Sequence, residues 1–196
     1  EKQYQGTQAD IDQYIGGLDT TRGISLSQMF SRDSRNRAEF PTSGSRFHLE
    51  NTYSGGFLGG NENFQKHILD LNWFTPTFSK VVLYNSFKLG VIKTLDVDDD
   101  VKSFVPFDER FIMGGNGIPY GNALRGYPDN SIGPQTASGQ AVGGNSMGKI
   151  TTELRFPLSE NPVIYVMAFG EMGNVWNSSK MSEPFYIDRN GPLSMK

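Results

Sequence analysis

The sequence predicts an all-β fold, an antiparallel meander of about six strands, on three observations. Six segments alternate apolar and polar residues with the period of two that marks a sheet with unlike faces. Twenty-three glycines and ten prolines punctuate the chain at intervals that suit many turns. No segment sustains a helical period.

Taken in order, segment 23–33 sets Ile24, Leu26 and Phe30 against Ser25, Ser27 and Ser31. Segment 45–53 puts Phe47, Leu49 and Tyr53 on one face and Arg46, His48, Glu50 and Thr52 on the other. Segment 64–74 opposes Leu69, Leu71 and Trp73 to Lys66, Asp70 and Asn72. The clearest run is Lys80 to Leu95, with Val81, Leu83, Asn85, Phe87, Leu89 and Val91 facing away from Tyr84, Ser86, Lys88 and Gly90. Segment 149–158 separates Ile150, Thr152, Leu154, Phe156 and Leu158 from Lys149, Thr151, Glu153 and Arg155. The last, 162–176, is apolar on both faces at its start.

Connections alternate in length. Segments 36–44, 75–79 and 159–161 are short, with turn residues such as Pro41-Thr42-Ser43-Gly44. Segments 55–63, 96–145 and 177–196 alternate with them, and the last two are long. Short turns on one side and long loops on the other is the outer-membrane barrel pattern, although soluble meanders share it. Strands of about ten residues, tilted, span the apolar band of about 25 Å. Trp73, Phe74, Phe156 and Trp176 fall near strand ends, where aromatic girdles lie.

Composition excludes several classes. With 18 Lys plus Arg against 21 Asp plus Glu, the net charge of −3 is too mild to steer nucleic acid, and no basic run marks a polyanion site. The absence of cysteine removes disulfides and thiolate metal sites. Glu1-Lys2-Gln3-Tyr4 opens on polar sequence, unlike a signal peptide, and no stretch approaches the roughly 18 apolar residues of a membrane helix. A transmembrane barrel stays open, because its strands average out as polar.

Patterns that mimic enzyme sites fail on context. Gly144-Asn145-Ser146-Met147-Gly148 matches a nucleophile elbow, yet a strand follows it, and His48 and His67 both come earlier. Gly115-Asn116-Gly117 has no following helix to hold a pyrophosphate. From Asp98 the spacing of a calcium loop reaches Glu109, but Ser103 replaces its central glycine, so Asp96, Asp98, Asp99 and Asp100 read as a solvated acidic loop. No catalytic residue, metal site or cofactor is expected.

What remains is the long Gly/Pro-rich segment 96–145. It carries Gly114-Gly115, Leu124-Arg125-Gly126-Tyr127, Ile132-Gly133-Pro134 and Gly143-Gly144-Asn145. Before it stand Asp33-Ser34-Arg35-Asn36 and Phe40-Pro41-Thr42-Ser43-Gly44-Ser45-Arg46, and after it Glu153-Leu154-Arg155-Phe156-Pro157 and Gly170-Glu171-Met172-Gly173-Asn174-Val175-Trp176. In order and spacing these pieces resemble the BamA family of outer-membrane β-barrel insertases. The family motif usually opens with Val, so Leu124 is a mild departure.

The resemblance implies that 1–196 is one partial transmembrane β-barrel domain, about six strands of a barrel that has about sixteen in that family. Six strands are too few to close a membrane barrel, and the chain stops at Gly191-Pro192-Leu193-Ser194-Met195-Lys196 in what reads as a loop, so a fragment is expected. The loop 96–145 would fold into the lumen, where Arg125 meets acids on the next two strands, here Glu153 and Glu171. Alternation by itself turns Glu153 inward, and a guanidinium fork suits a carboxylate. Glu171 fits less well. Counting from Val163, Tyr165, Met167 and Phe169 places it on the apolar face, so a bulge at Gly170 or Gly173 is expected to shift it inward. Gly126 is expected to bend the loop tip, Tyr127 to wedge against the wall, and Arg125 to matter more than Arg110.

The function implied is folding and inserting outer-membrane proteins without ATP, in the bacterial outer membrane and without enzymatic chemistry. A weak seam would offer clients an edge for β-augmentation. Implied partners are unfolded outer-membrane protein clients, assembly lipoproteins and outer-membrane lipid, with no nucleic acid. Open sheet edges would also let the fragment self-associate. A two-partner secretion transporter shares the arginine loop and is the alternative within this class. A soluble β-sandwich binding module is the alternative outside it.

Overall fold

The structure, a computed structural model, describes residues 2–3, 20–95, 105–118, 121–136, 139–160 and 163–177. The acidic residues Asp96 and Asp98 to Asp100, and the chain beyond Asn177, lie outside them. β1 (Lys2–Gln3) and β2 (Thr20–Thr21) form a short antiparallel pair. One six-stranded antiparallel sheet follows, in sequence order: β3 (Ser25–Asp33), β4 (Gly44–Ser54), β5 (Phe64–Pro76), β6 (Val82–Thr94), β7 (Ser146–Glu160) and β8 (Val163–Trp176). Every segment expected from alternation is a strand. Antiparallel neighbours need only a turn, which joins β5 to β6 and β7 to β8, whereas β6 and β7 pair across the long loop between them.

Register sorts the side chains into two faces. Phe47, Leu71, Phe87, Ile150 and Met172 stand opposite one another across five strands, an apolar row on the outer face. One residue along, His48, Asp70, Lys88 and Lys149 form the matching polar row on the inner face. Leu26, Phe30, Trp73, Leu154, Phe156 and Trp176 are exposed on the outer face. An apolar surface of this extent is far beyond what a soluble monomer shows and suits lipid. A β-sandwich would bury it against a second sheet; among the described residues no such sheet exists.

The core lies on the inner face, between strands and loop. Phe64, Ile92, Met147 and Val175 from the strands pack with Val105, Phe111, Met113 and Leu124 from the loop. Gly90 makes the seat for this packing. A Cβ there would run into the Phe111 ring and lie 2.9 Å from Met147 Cε.

Two expectations are corrected. The register of β7 with β8 runs unbroken from Pro157–Tyr165 to Ser146–Trp176, and its one irregularity falls between Pro157 and Ser159. There is no bulge at Gly170 or Gly173. Glu171 stands opposite Thr151 on the inner face because Met167 and Phe169 are also on that face. The start of β8 is apolar on both sides, and counting from it picked the wrong one. Phe74 is likewise no girdle residue, for it is buried and stacked on Tyr84 with centroids 4.8 Å apart.

Candidate functional site: an arginine clasped by two carboxylates

The loop is tied at its base and folded on itself. Phe111 and Gly144 exchange backbone bonds of 3.0 and 2.8 Å, which close the two ends of the loop like a short ladder. Inside this closure Met113 pairs with Ile132, and Gly115 with Leu124. Gly114, Gly115 and Gly143 all adopt positive φ, as the sharp path requires. Arg110 donates Nε to Val105 O at 3.2 Å and Nη1 to Val142 O at 3.1 Å, joining the base from within. It is 5% exposed, and burial pushes its guanidinium well below its ordinary pKa, to about 9. Arg110 is thus a structural member of the loop, as well as Arg125.

Burial of Leu124 aims the next residue at the wall formed by β7 and β8. Arg125 Nη2 lies 2.5 Å from Glu153 Oε1 and 2.8 Å from Glu171 Oε1. Its backbone N–H donates to Glu171 Oε2 at 2.9 Å. The guanidinium plane sits 3.7 Å from the Phe169 centroid, a cation–π contact, and Nη1 reaches Met167 Sδ at 3.7 Å. Hydrogen bonds to Glu171 above all, and to Glu153, raise the arginine's pKa against the opposing effect of burial. Glu153 is 4% exposed, so its charge needs these partners.

Two further cations complete the cluster, and the sequence had placed them on the right face without a role. Lys149 pairs with Glu171 at 3.3 Å and donates to Ala123 O at 2.6 Å, linking wall to loop. Arg155 donates to Glu153 Oε2 at 2.8 Å and stacks on Tyr84 at 4.2 Å. Thr151 donates to Glu171 Oε1 at 3.1 Å. Farther along the loop, Lys66 reaches Glu109 at 2.9 Å and Lys88 reaches Asn122 Oδ1 at 2.8 Å. Four of the six strands of the sheet thus hold the loop by charged or polar side chains. Their alternation was the available signal; their partners lay in loop sequence without periodicity.

Gly126 turns the chain away from the wall with φ of 87°. Tyr127 does not wedge, since it is about half exposed. The site therefore holds ions and aromatic faces in a fixed geometry.

Six strands of membrane-spanning length, lipid-suited outside and clasping a loop inside, define part of an outer-membrane β-barrel. The chain belongs to the Omp85 superfamily, whose domain profile it matches over residues 3–192. It is 28% identical over 151 residues to the outer membrane protein assembly factor BamA of Nitratidesulfovibrio vulgaris, covering 76% of this chain and 18% of that protein. A SAM50-like protein of Schizosaccharomyces pombe is 29% identical over 140 residues, covering 68% of this chain and 26% of that one. The crystal structure of BamA from Haemophilus ducreyi lacking POTRA domains 1–3 superposes with a TM-score of 0.63 and 25% identity, over 79% of this chain and 30% of that one. The chain thus spans less than a third of each of these proteins. It is a BamA-family partial barrel, of a class that sits in the bacterial outer membrane.

Proposed function

We propose that this chain is the loop-bearing wall of a bacterial outer-membrane barrel that folds and inserts other barrels, with Arg125 bracing the lumen. The observation that carries this reading is the double clasp of Arg125 by Glu153 and Glu171. An insertase has no bond to make or break. It must keep a lumenal shape while its wall deforms, and an ion cluster with fixed directions does this better than apolar packing alone. Its clients are unfolded outer-membrane proteins, and its partners are the lipoproteins of an assembly machine and the surrounding lipid. The relative named as an outer membrane protein assembly factor, and the fold shared with a solved BamA, support this reading.

The test is insertion of a client barrel into liposomes by the full parent protein. Arg125→Ala is expected to lower the folded yield at least fivefold, while Lys93→Ala, on the outward face of β6, leaves it unchanged. Equal yields from the two variants would remove Arg125 from the mechanism.

A further inference from the structure

At the short-turn end of the sheet, away from the Arg125 cluster, lies a cavity of about 460 Å³. It is walled by the β3–β4 turn, the β5–β6 turn and the far end of β7. Phe40, Val81, Val82 and Pro157 supply apolar lining, while Arg37 and Lys80 are exposed cations beside it, with Glu39 as the one acid. The volume falls in the range of ligand pockets, about 300–1,000 Å³.

The walls are pre-formed. Asn36 Oδ1 accepts from the backbone N–H of Thr42 and of Ser43, and Asn36 Nδ2 donates to Thr42 Oγ1 at 2.7 Å. Arg35 forks onto Asp33 and donates to Ala38 O, so its charge is already matched. Phe40 holds a positive φ of 49° and packs its ring edge-on to Tyr165 of β8, with centroids 5.0 Å apart. A non-glycine residue in that conformation is uncommon, and here it accompanies the ring contact with Tyr165.

One strand edge beside the cavity is open. β7 continues to Glu160, but its pairing with β6 ends at Arg155–Val82. From Phe156 onward the β6 side of β7 has no strand neighbour among the described residues, and between Pro157 and Ser159 the register with β8 also slips. An unpaired edge accepts an added strand through its backbone groups. Pro157 has no N–H, which limits this edge to a few bonds and leaves specificity to the side-chain cavity.

We infer that this end of the sheet binds an extended peptide segment, docked along Phe156–Ser159 with an apolar side chain in the cavity and a carboxylate beside Arg37 and Lys80. With Arg35 neutralised by Asp33, the two cations outweigh Glu39, so acidic flanks are favoured over basic ones. The inference is independent of the role given to Arg125.

The experiment uses the full parent protein in detergent and a labelled hexapeptide of alternating aspartate and apolar residues with a central phenylalanine. A twin peptide carries lysine in place of aspartate. The acidic peptide is expected to bind saturably, and at least tenfold more tightly than its twin. Arg37→Glu with Lys80→Glu should reverse that order, and Ser159→Trp, which fills the cavity, should abolish binding of both. Heat-modifiability on a gel confirms that each variant is folded; if a variant is not, the comparison of the two peptides on the unaltered protein decides. No saturable binding below about 1 mM, or equal binding of the twins, would overturn the proposal.

Discussion

Glu171 holds Arg125 by both its backbone and its side chain: Oε2 accepts the amide at 2.9 Å while Oε1 accepts the guanidinium at 2.8 Å. One carboxylate therefore fixes where the loop passes as well as where its charge points. Glu153 takes the same Nη2 from the neighbouring strand, and Phe169 closes the face of the ring of charge. Such a clasp is directional, and its loss leaves two nearly buried carboxylates with fewer partners.

Arg125→Ala should destabilise the barrel by about 3 kcal/mol, the low end for removing one partner of a buried ion pair, because Lys149 and Arg155 stay in place. Arg125→Lys should recover only part of this, since an ammonium cannot span both acids and stack on Phe169 together. The check is the temperature at which the folded band disappears on a semi-native gel, with Lys93→Ala as the reference. Arg110→Ala is no neutral comparison, being bonded to both ends of the loop base.

Gly90→Val should unseat the loop while leaving the sheet intact. The added methyls meet the Phe111 ring, whose own position is fixed by the bridge to Gly144. Limited proteolysis within 105–145 is expected to speed up about tenfold, a shift of about 1.4 kcal/mol in the opening equilibrium. Unchanged cleavage would mean that Phe111 is not the anchor.

Gly126 and Gly115 separate strain from crowding. Both have positive φ, at 87° and 51°, but only Gly115 is crowded, since a Cβ there collides with the Asp129 carboxylate. Around Gly126 nothing lies within 4 Å. Gly126→Ala should cost about 1 kcal/mol from backbone conformation alone, and Gly115→Ala clearly more. Melting temperatures of the two variants in detergent would rank them.

The six strands were legible because a sheet between lipid and a polar interior must alternate, and Ile150 to Leu158 against Lys149 to Arg155 shows that rule with Thr152 as the one polar residue on the outer side. Glu153 could be placed by the same rule. Glu171 could not, because Tyr165, Met167 and Phe169 make the inner side of β8 as apolar as the outer. Those residues serve the loop and the turn: Phe169 faces Arg125, and Tyr165 faces Phe40. The roles of Lys149 and Arg155 were hidden for another reason. A charged residue on an inner face names its side of the wall, whereas its partner is chosen by how an aperiodic loop folds.

Sidedness itself predicts an asymmetry. Leu154→Arg puts a charge on the outer face and should cost about 2–4 kcal/mol more than Ser86→Arg on the inner one. Folded yield in liposomes of the two variants measures this difference. Equal yields would mean that the outer face does not meet lipid.

The most direct measurement is a double-mutant cycle on Arg125 and Glu171 in the full parent barrel, read as unfolding free energy in urea. Arg125→Ala, Glu171→Ala and the double variant should show a coupling of at least about 1.5 kcal/mol, as expected for charged groups in contact. Effects that add to within about 0.5 kcal/mol would contradict the clasp, and with it the bracing of the lumen by this loop.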